Sequence, residues 1–190
     1  MKLLHLSWND VQRLSERLIE EIKKSVFQPE IIVALGRGGF IPARILCDRL
    51  DVKGLASMGV GYYRDIEERE REPRILYPLN ADVKDRSVLL VDDVADTGRS
   101  LQLAVSHILG RGANEVRVAT LHYKPWSVFK PDFYAEETEA WVVYPWEVIE
   151  AARSFLRKLR GERLSSSEVR ERLLALGFKE EDVDALLKDE

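Results

Sequence analysis

Residues 88–100 read VLLVDDVADTGRS, and this run sets the architecture more firmly than any other part of the chain. Val88, Leu89, Leu90 and Val91 are too few for a helix and too uniformly apolar for a surface loop, so they predict a parallel strand buried on both faces, ending at Asp92. Leu101, Ala104, Val105, Ile108 and Leu109 then recur at the three-and-four spacing of an amphipathic helix, which Gly110 and Gly112 close. The unit is strand, polar loop, helix. A second such unit precedes it: EIIVAL at 30–35 reads as a buried strand, GRGG breaks it, and a helix follows over 41–50 with Pro42 in an early position that tolerates a missing N–H. Strands are also expected at 55–60, 115–121 and 140–144. Before them all, 10–27 predicts a helix with Val11, Leu14, Leu18, Ile22 and Val26 on one stripe and Asn9 or Asp10 as N-cap. Strands alternating with helices imply an α/β domain with a mostly parallel sheet flanked by helices.

The loop between strand and helix lies where open α/β sheets bind ligands, at the carboxyl ends of strands and the positive ends of helices. Asp96, Thr97, Gly98, Arg99 and Ser100 supply a tight turn, a glycine for close approach, two hydroxyls and a cation, a set suited to a phosphate monoester. Asp92 and Asp93 cannot serve that anion. They suit the vicinal hydroxyls of a ribose, or a magnesium ion. The earlier loop, Gly36, Arg37, Gly38 and Gly39, reads by itself as a tight turn, and its amides and arginine also suit a diphosphate.

Composition sets bounds. A chain of 190 residues holds one domain of about 150 residues with some left over. The net charge of −4 argues against a nucleic-acid surface. The single cysteine, Cys47, excludes an internal disulfide and reads as a core thiol, in keeping with a reducing cytoplasm. No apolar stretch approaches the ~18 residues of a membrane span, and residues 1–8 are too short and too soon polar for a signal peptide.

The 88–100 segment resembles the phosphoribosyl-pyrophosphate (PRPP) signature of type I phosphoribosyltransferases: a strand, two acidic residues, two apolar residues, then Asp-Thr-Gly-basic-Ser/Thr. With SWNDV near the start, LGRGG, and YPWE at 144–147, the order is similar to that of xanthine–guanine phosphoribosyltransferases over about 6–149. The resemblance implies a type I fold with a small hood over residues 1–150, leaving 151–190 as a C-terminal helical extension. It implies that Asp92, Asp93, Ala95, Asp96, Thr97, Gly98, Arg99 and Ser100 hold PRPP, and that Gly36, Arg37, Gly38 and Gly39 hold its pyrophosphate, with a non-proline cis peptide near Gly36-Arg37. Asp96 matches the family's proton acceptor at purine N7. A Mg²⁺ ion is implied, with Asp93 and, through water, Glu147 beside it.

The polar run 61–74 reads as a solvated loop or hairpin. The resemblance gives a sharper reading, a mobile loop that brings Tyr62, Tyr63 and Arg64 to the substrate. For the base, HYKPW and WVVYPWE resemble the branch that salvages 6-oxopurines, in which Lys124 reads O6, Trp141 stacks and Val142 offers its main chain. An ammonium only donates, which would reject the amino group of adenine. The implied activity is purine salvage, from PRPP and guanine, xanthine or hypoxanthine to a nucleotide monophosphate and pyrophosphate, in a cytoplasmic homodimer. Two alternatives stay open: a phosphoribosyltransferase for adenine or a pyrimidine, and a non-catalytic regulator that senses PRPP or a nucleotide. Beyond 150 the chain reads as a charged stretch (RKLRGER) and then a helical hairpin, with capping-box spacing at Ser165 and Glu168 and a stop at Gly177.

Overall fold

A computed structural model describes residues 2–62, 72–162 and 164–188. By compactness the chain divides into two units, 12–139 and a discontinuous one of 1–11 with 140–190. The expected extension from 151 onward is thus part of a unit that also contains the first residues of the chain.

Unit 12–139 is built on six strands. β2 (Ile31–Gly36), β3 (Gly54–Tyr62), β4 (Pro73–Tyr77), β5 (Ser87–Ala95), β6 (Glu115–Tyr123) and β7 (Phe133–Glu137) are ordered β4-β3-β2-β5-β6-β7. All pairings are parallel except β3 with β4, an antiparallel edge on either side of 63–71. The centre is apolar because β2 and β5 are buried on both faces: Ile31, Val33, Val88 and Leu90 belong to one core with Leu101, Ala104 and Ile108 of α3 (Arg99–Gly110). Ile32, Ala34, Leu89 and Val91 alternate with them and are as deeply buried, and α2 (Phe40–Leu50) packs against β2, β3 and β5. Cys47 lies buried in α2, where desolvation raises the thiol pKa.

Several expectations need correction. β5 does not stop at Asp92. It runs on to Ala95 because its ladder with β6 continues, pairing Asp92 with Thr120 and Val94 with His122. β6 likewise runs to Tyr123. The first helix, α1, spans Trp8–Lys24, and its cap is Ser7, not Asn9 or Asp10. The Ser7 Oγ accepts the Asp10 amide at 3.2 Å and the Asp10 carboxylate accepts the Ser7 amide at 3.0 Å, a reciprocal capping box. Val11, Leu14, Leu18 and Ile22 are buried as expected, but Val26 lies past the helix end and is fully exposed. β4 and β7 were not foreseen: both are short edge strands that bury little, so they carry no apolar run to announce them.

The other unit contains a separate two-stranded parallel sheet of β1 (Leu3–His5) and β8 (Trp141–Val143). The strand expected at 140–144 therefore pairs outside the six-stranded sheet. Three helices complete the unit: α4 (Val148–Arg160), α5 (Ser166–Ala175) and α6 (Glu180–Lys188). The charged stretch begins as the last turn of α4, residues 157–160; the helix buries Ala151, Ala152, Phe155, Leu156 and Leu159 on one stripe and leaves its basic residues outside. Leu173, Phe178, Val183 and Leu186 complete that core. The Ser165–Glu168 capping box is present, and Gly177 adopts φ +91° past the end of α5. No helix among the described residues is long and apolar enough to cross a membrane.

Candidate active site

Two strand-to-helix turns from adjacent parallel strands meet at the carboxyl edge of the six-stranded sheet. At the first, β2 ends in Gly36, a cis peptide joins Gly36 to Arg37, and α2 starts at Gly39. This turn lies so close to β5 that a side chain is excluded: a Cβ on Gly39 would stand 2.1 Å from the Val91 carbonyl oxygen and 2.8 Å from backbone atoms of Leu35. The carboxylate of Asp93, itself only 7% exposed, lies against Gly38 at a distance no Cβ would leave open. The Gly39 amide donates to the Leu35 carbonyl at 2.9 Å and is used within the turn. Arg37 is exposed at its tip.

The second turn runs from Ala95 to α3. Gly98 precedes the helix at φ +79°, a left-handed conformation that glycine adopts without cost. No side chain caps α3. Its first amides and dipole are therefore presented to the same cavity as the hydroxyls of Thr97 and Ser100. That cavity, about 620 Å³, is lined by Asp92, Asp96, Thr97, Gly98, Arg99 and Ser100 among others. Asp92 is half-buried and accepts the Asp93 amide at 2.9 Å, which turns the two adjacent carboxylates apart. The acidic pair thus splits, Asp92 toward the cavity and Asp93 toward the glycine turn.

Tyr62 and Trp126 also line the cavity. Tyr62 is the last residue of β3 rather than a loop residue, and its hydroxyl lies 3.2 Å from Ser100 Oγ. Tyr63 and Arg64, expected beside it, lie outside the described residues. Trp126 went unassigned in the sequence because a lone aromatic after a strand carries no pattern. It belongs to a turn that is tied to the Ala95–Gly98 turn by main-chain bonds on both sides: Lys124 N donates to Ala95 O, and Val128 N to Thr97 O, both at 3.0 Å. Between them Trp126 Nε1 donates to Asp96 Oδ1 at 3.1 Å.

Lys124 follows β6 directly and is 5% exposed, with its ammonium 5.6 Å from the centre of the Trp126 ring. Burial pushes its pKa down, and the carboxylate of Asp96 opposes that shift. Two residues back, His122 is buried, and desolvation pushes its pKa down to about 4; the Lys124 charge adds to the shift and Glu136 opposes it. His122 is therefore neutral near pH 7.

The remaining expected residues lie in the other unit. Trp141 is 49% exposed and meets Phe155 edge-on, with ring centres 6.2 Å apart. Trp141 N donates to Lys2 O, and Val143 O accepts from Leu6 N, so strand alternation turns the Val142 amide and carbonyl toward the edge of β8 away from β1. Glu147 sits just before α4 and accepts the Tyr144 amide at 3.3 Å. Among the described residues no three His, Cys, Asp or Glu side chains form a metal cluster. The split carboxylates of Asp92 and Asp93 nonetheless fit an ion such as Mg²⁺ that keeps much of its water and is held by one or two carboxylates together with substrate phosphates.

Residues 5–152 match the family described as the phosphoribosyl transferase domain. The chain belongs to that family. It is 29% identical over 144 residues to the xanthine-guanine phosphoribosyltransferase of Desulfotalea psychrophila, covering 75% of this chain and 84% of the relative. Among solved structures it is similar to a purine phosphoribosyltransferase from Pyrococcus horikoshii, with a TM-score of 0.69 and 36% identity over 77% of this chain and 94% of the other. A hypothetical protein from Neisseria gonorrhoeae with bound ppGpp also matches, at a TM-score of 0.69 and 26% identity over 77% of this chain and 89% of that one. The type I fold read from the sequence is thus the fold of the family.

Proposed function

We propose that this phosphoribosyltransferase serves purine salvage, moving the 5-phosphoribosyl group of PRPP to N9 of guanine, xanthine or hypoxanthine and releasing pyrophosphate. The observation that carries the reading is Lys124, a donor-only cation buried at the end of β6, in the field of Asp96 and beside Trp126, both of which line the cavity. The names of the Desulfotalea and Pyrococcus relatives support it.

In this reading the 5′-phosphate sits on the Thr97–Ser100 turn, among the α3 amides, the hydroxyls and Arg99. Asp92 and Asp93 hold the ribose hydroxyls directly or through water. The C1′–O bond to pyrophosphate breaks as the C1′–N9 bond forms, through a transition state with oxocarbenium character. Arg37 and the Gly38 amide stabilise charge growing on the departing diphosphate. A Mg²⁺ ion, when bound, would supply neutralising charge to that diphosphate. Asp93 is the side chain closest to the glycine turn that would help hold the ion, and Glu147 would do so only through water. Asp96 takes the proton from purine N7 as N9 attacks. Lys124 donates to O6, while stacking by Trp141 and main-chain contacts from Val142 rest on the resemblance alone. Closure by residues around Tyr62 would exclude water from the cation-like sugar. A homodimeric, cytoplasmic enzyme completes the proposal.

Initial rates with PRPP, Mg²⁺ and a panel of guanine, xanthine, hypoxanthine, adenine, uracil and orotate test it. Turnover is expected with the 6-oxopurines alone. Turnover with adenine or a pyrimidine alone would keep the sugar site and overturn the role of Lys124. Absence of all turnover would favour a ligand-sensing role, for which the ppGpp-bound Neisseria relative offers a nucleotide to try. Lys124→Ala should raise KM for the purine by roughly 10- to 100-fold, the worth of a hydrogen bond to a charged group, and leave KM for PRPP nearly unchanged.

A further inference from the structure

Asp96 is the first residue after β5 and stands exposed on a turn, a poor place for a group that must hold one orientation while it accepts a proton. An aspartate side chain on a loop rotates about two torsions. Something has to fix it. Among the described residues the neighbouring turn supplies the hydrogen bond to its carboxylate: Trp126 Nε1 to Asp96 Oδ1 at 3.1 Å. That bond does not depend on chance contact of two surface side chains, because the 124–128 turn is fastened to the phosphate loop at Ala95 and at Thr97 on either side of it. The turn is itself closed by Ser127 N donating to Lys124 O at 3.0 Å.

We infer that Trp126 is a positioning residue of the transfer reaction, which holds Asp96 through one carboxylate oxygen and leaves the other to meet the purine. The inference rests on the proposed role of Asp96 in that reaction. Indole chemistry suits the task. Nε1–H donates and never accepts, so Trp126 can orient the carboxylate without competing for the proton that Asp96 is to receive. The two oxygens of the group thereby become different: Oδ1 is occupied by the indole, and Oδ2 is the base. The same ring lies 5.6 Å from the Lys124 ammonium, so its face supports the cation while its edge holds the anion. One side chain thus sets the spacing between the residue that reads O6 and the residue that acts at N7. These two purine atoms lie on the same edge of the ring system, and their separation is fixed by the base.

The two contacts can be separated by substitution. Trp126→Phe keeps an aromatic face for Lys124 and removes the N–H. Trp126→Leu removes both. For a loss of orientation, Trp126→Phe should lower kcat with a 6-oxopurine roughly tenfold, the scale of one hydrogen bond to a charged acceptor, while KM for PRPP stays within about twofold. Trp126→Leu should add a rise in KM for the purine. The decisive arm is a double-mutant cycle: in an Asp96→Asn background, Trp126→Phe should cost almost nothing further in kcat. An equal cost in both backgrounds would overturn the inference, since the tryptophan would then act by bulk alone. A second readout does not need turnover. In ¹⁵N-labelled protein the indole N–H resonance that Trp126→Phe removes should shift in Asp96→Asn, and an unmoved resonance would overturn the bond itself. A wild-type protein with no turnover on any base, but with that resonance shift, would instead overturn the proposed reaction and the catalytic meaning of the pair along with it.

Discussion

Four helix starts fall into two kinds. α1 and α5 begin at serines, Ser7 and Ser165, each locked to an acidic residue three positions on. α2 and α3 begin at glycines, Gly39 and Gly98, with no side-chain cap. The first kind spends its terminal amides inside the protein. The second has no side chain over its terminal amides, at the ends of β2 and β5 where the phosphate chemistry is proposed; at α2 Phe40 N donates to Arg37 O within the turn and Pro42 has no N–H, so α3 offers the fuller set. A serine cap stabilises a helix by about 1 kcal/mol. Its absence at both site helices leaves no side chain between an anion and the positive end of the dipole. The two uncapped starts differ in turn: Gly39 is required for space alone, Gly98 for its left-handed conformation as well as for space, since a Cβ there would stand 2.6 Å from Phe129 N.

That distinction can be broken in order of expected size. Gly39→Ala drives a methyl into the Val91 and Leu35 backbone, which cannot swing aside, and should cost about 3 kcal/mol or more in urea unfolding. A cost under about 1 kcal/mol would mean that the turn can retreat from β5. Next, PRPP with Mg²⁺ at about a hundredfold excess over Kd should stabilise the wild type by about 2.7 kcal/mol, read as a rise in Tm. The same addition should do little for Gly98→Ala. Without ligand, Gly98→Ala should cost about 2 kcal/mol for a left-handed alanine, with Ser127 Oγ 2.4 Å from the new methyl adding to it. If its loss is nil and PRPP still stabilises, the helix start is no phosphate site. Smallest is Ser165→Ala, about 1 kcal/mol. It should leave transfer rates untouched, the outcome that sets the two kinds of helix start apart most clearly.

The sequence disclosed what local chemistry controls. β2, β5 and α3 were legible because buried strands and amphipathic helices leave dense apolar patterns, and the glycine turns because few residues replace glycine there. The capping box at Ser165 was legible, whereas the one at Ser7 was not, because Asn9 and Asp10 are equally good caps and only the hydrogen bonds choose. β4 and β7 are edge strands whose pairing comes from neighbours remote in sequence. β8 was legible as a strand at 140–144, but its three-residue partner β1 was not, because the two pair across most of the chain. Within the site, the letters named Asp96 and Lys124. They could not name Trp126, whose role exists only because the turn after β6 is fastened beside the loop after β5.

The pairing of Leu3–His5 with Trp141–Val143 also bears on how the protein is made. Residues 12–139 form a contiguous unit, so every strand of the six-stranded sheet has been synthesised before β8 is translated. Folding that proceeds as synthesis does can assemble this sheet first. β1, although among the first residues to emerge, waits without its partner strand until late in translation. Its three residues can pair only after the chemistry-bearing turns at 36–39 and 95–100 have been made.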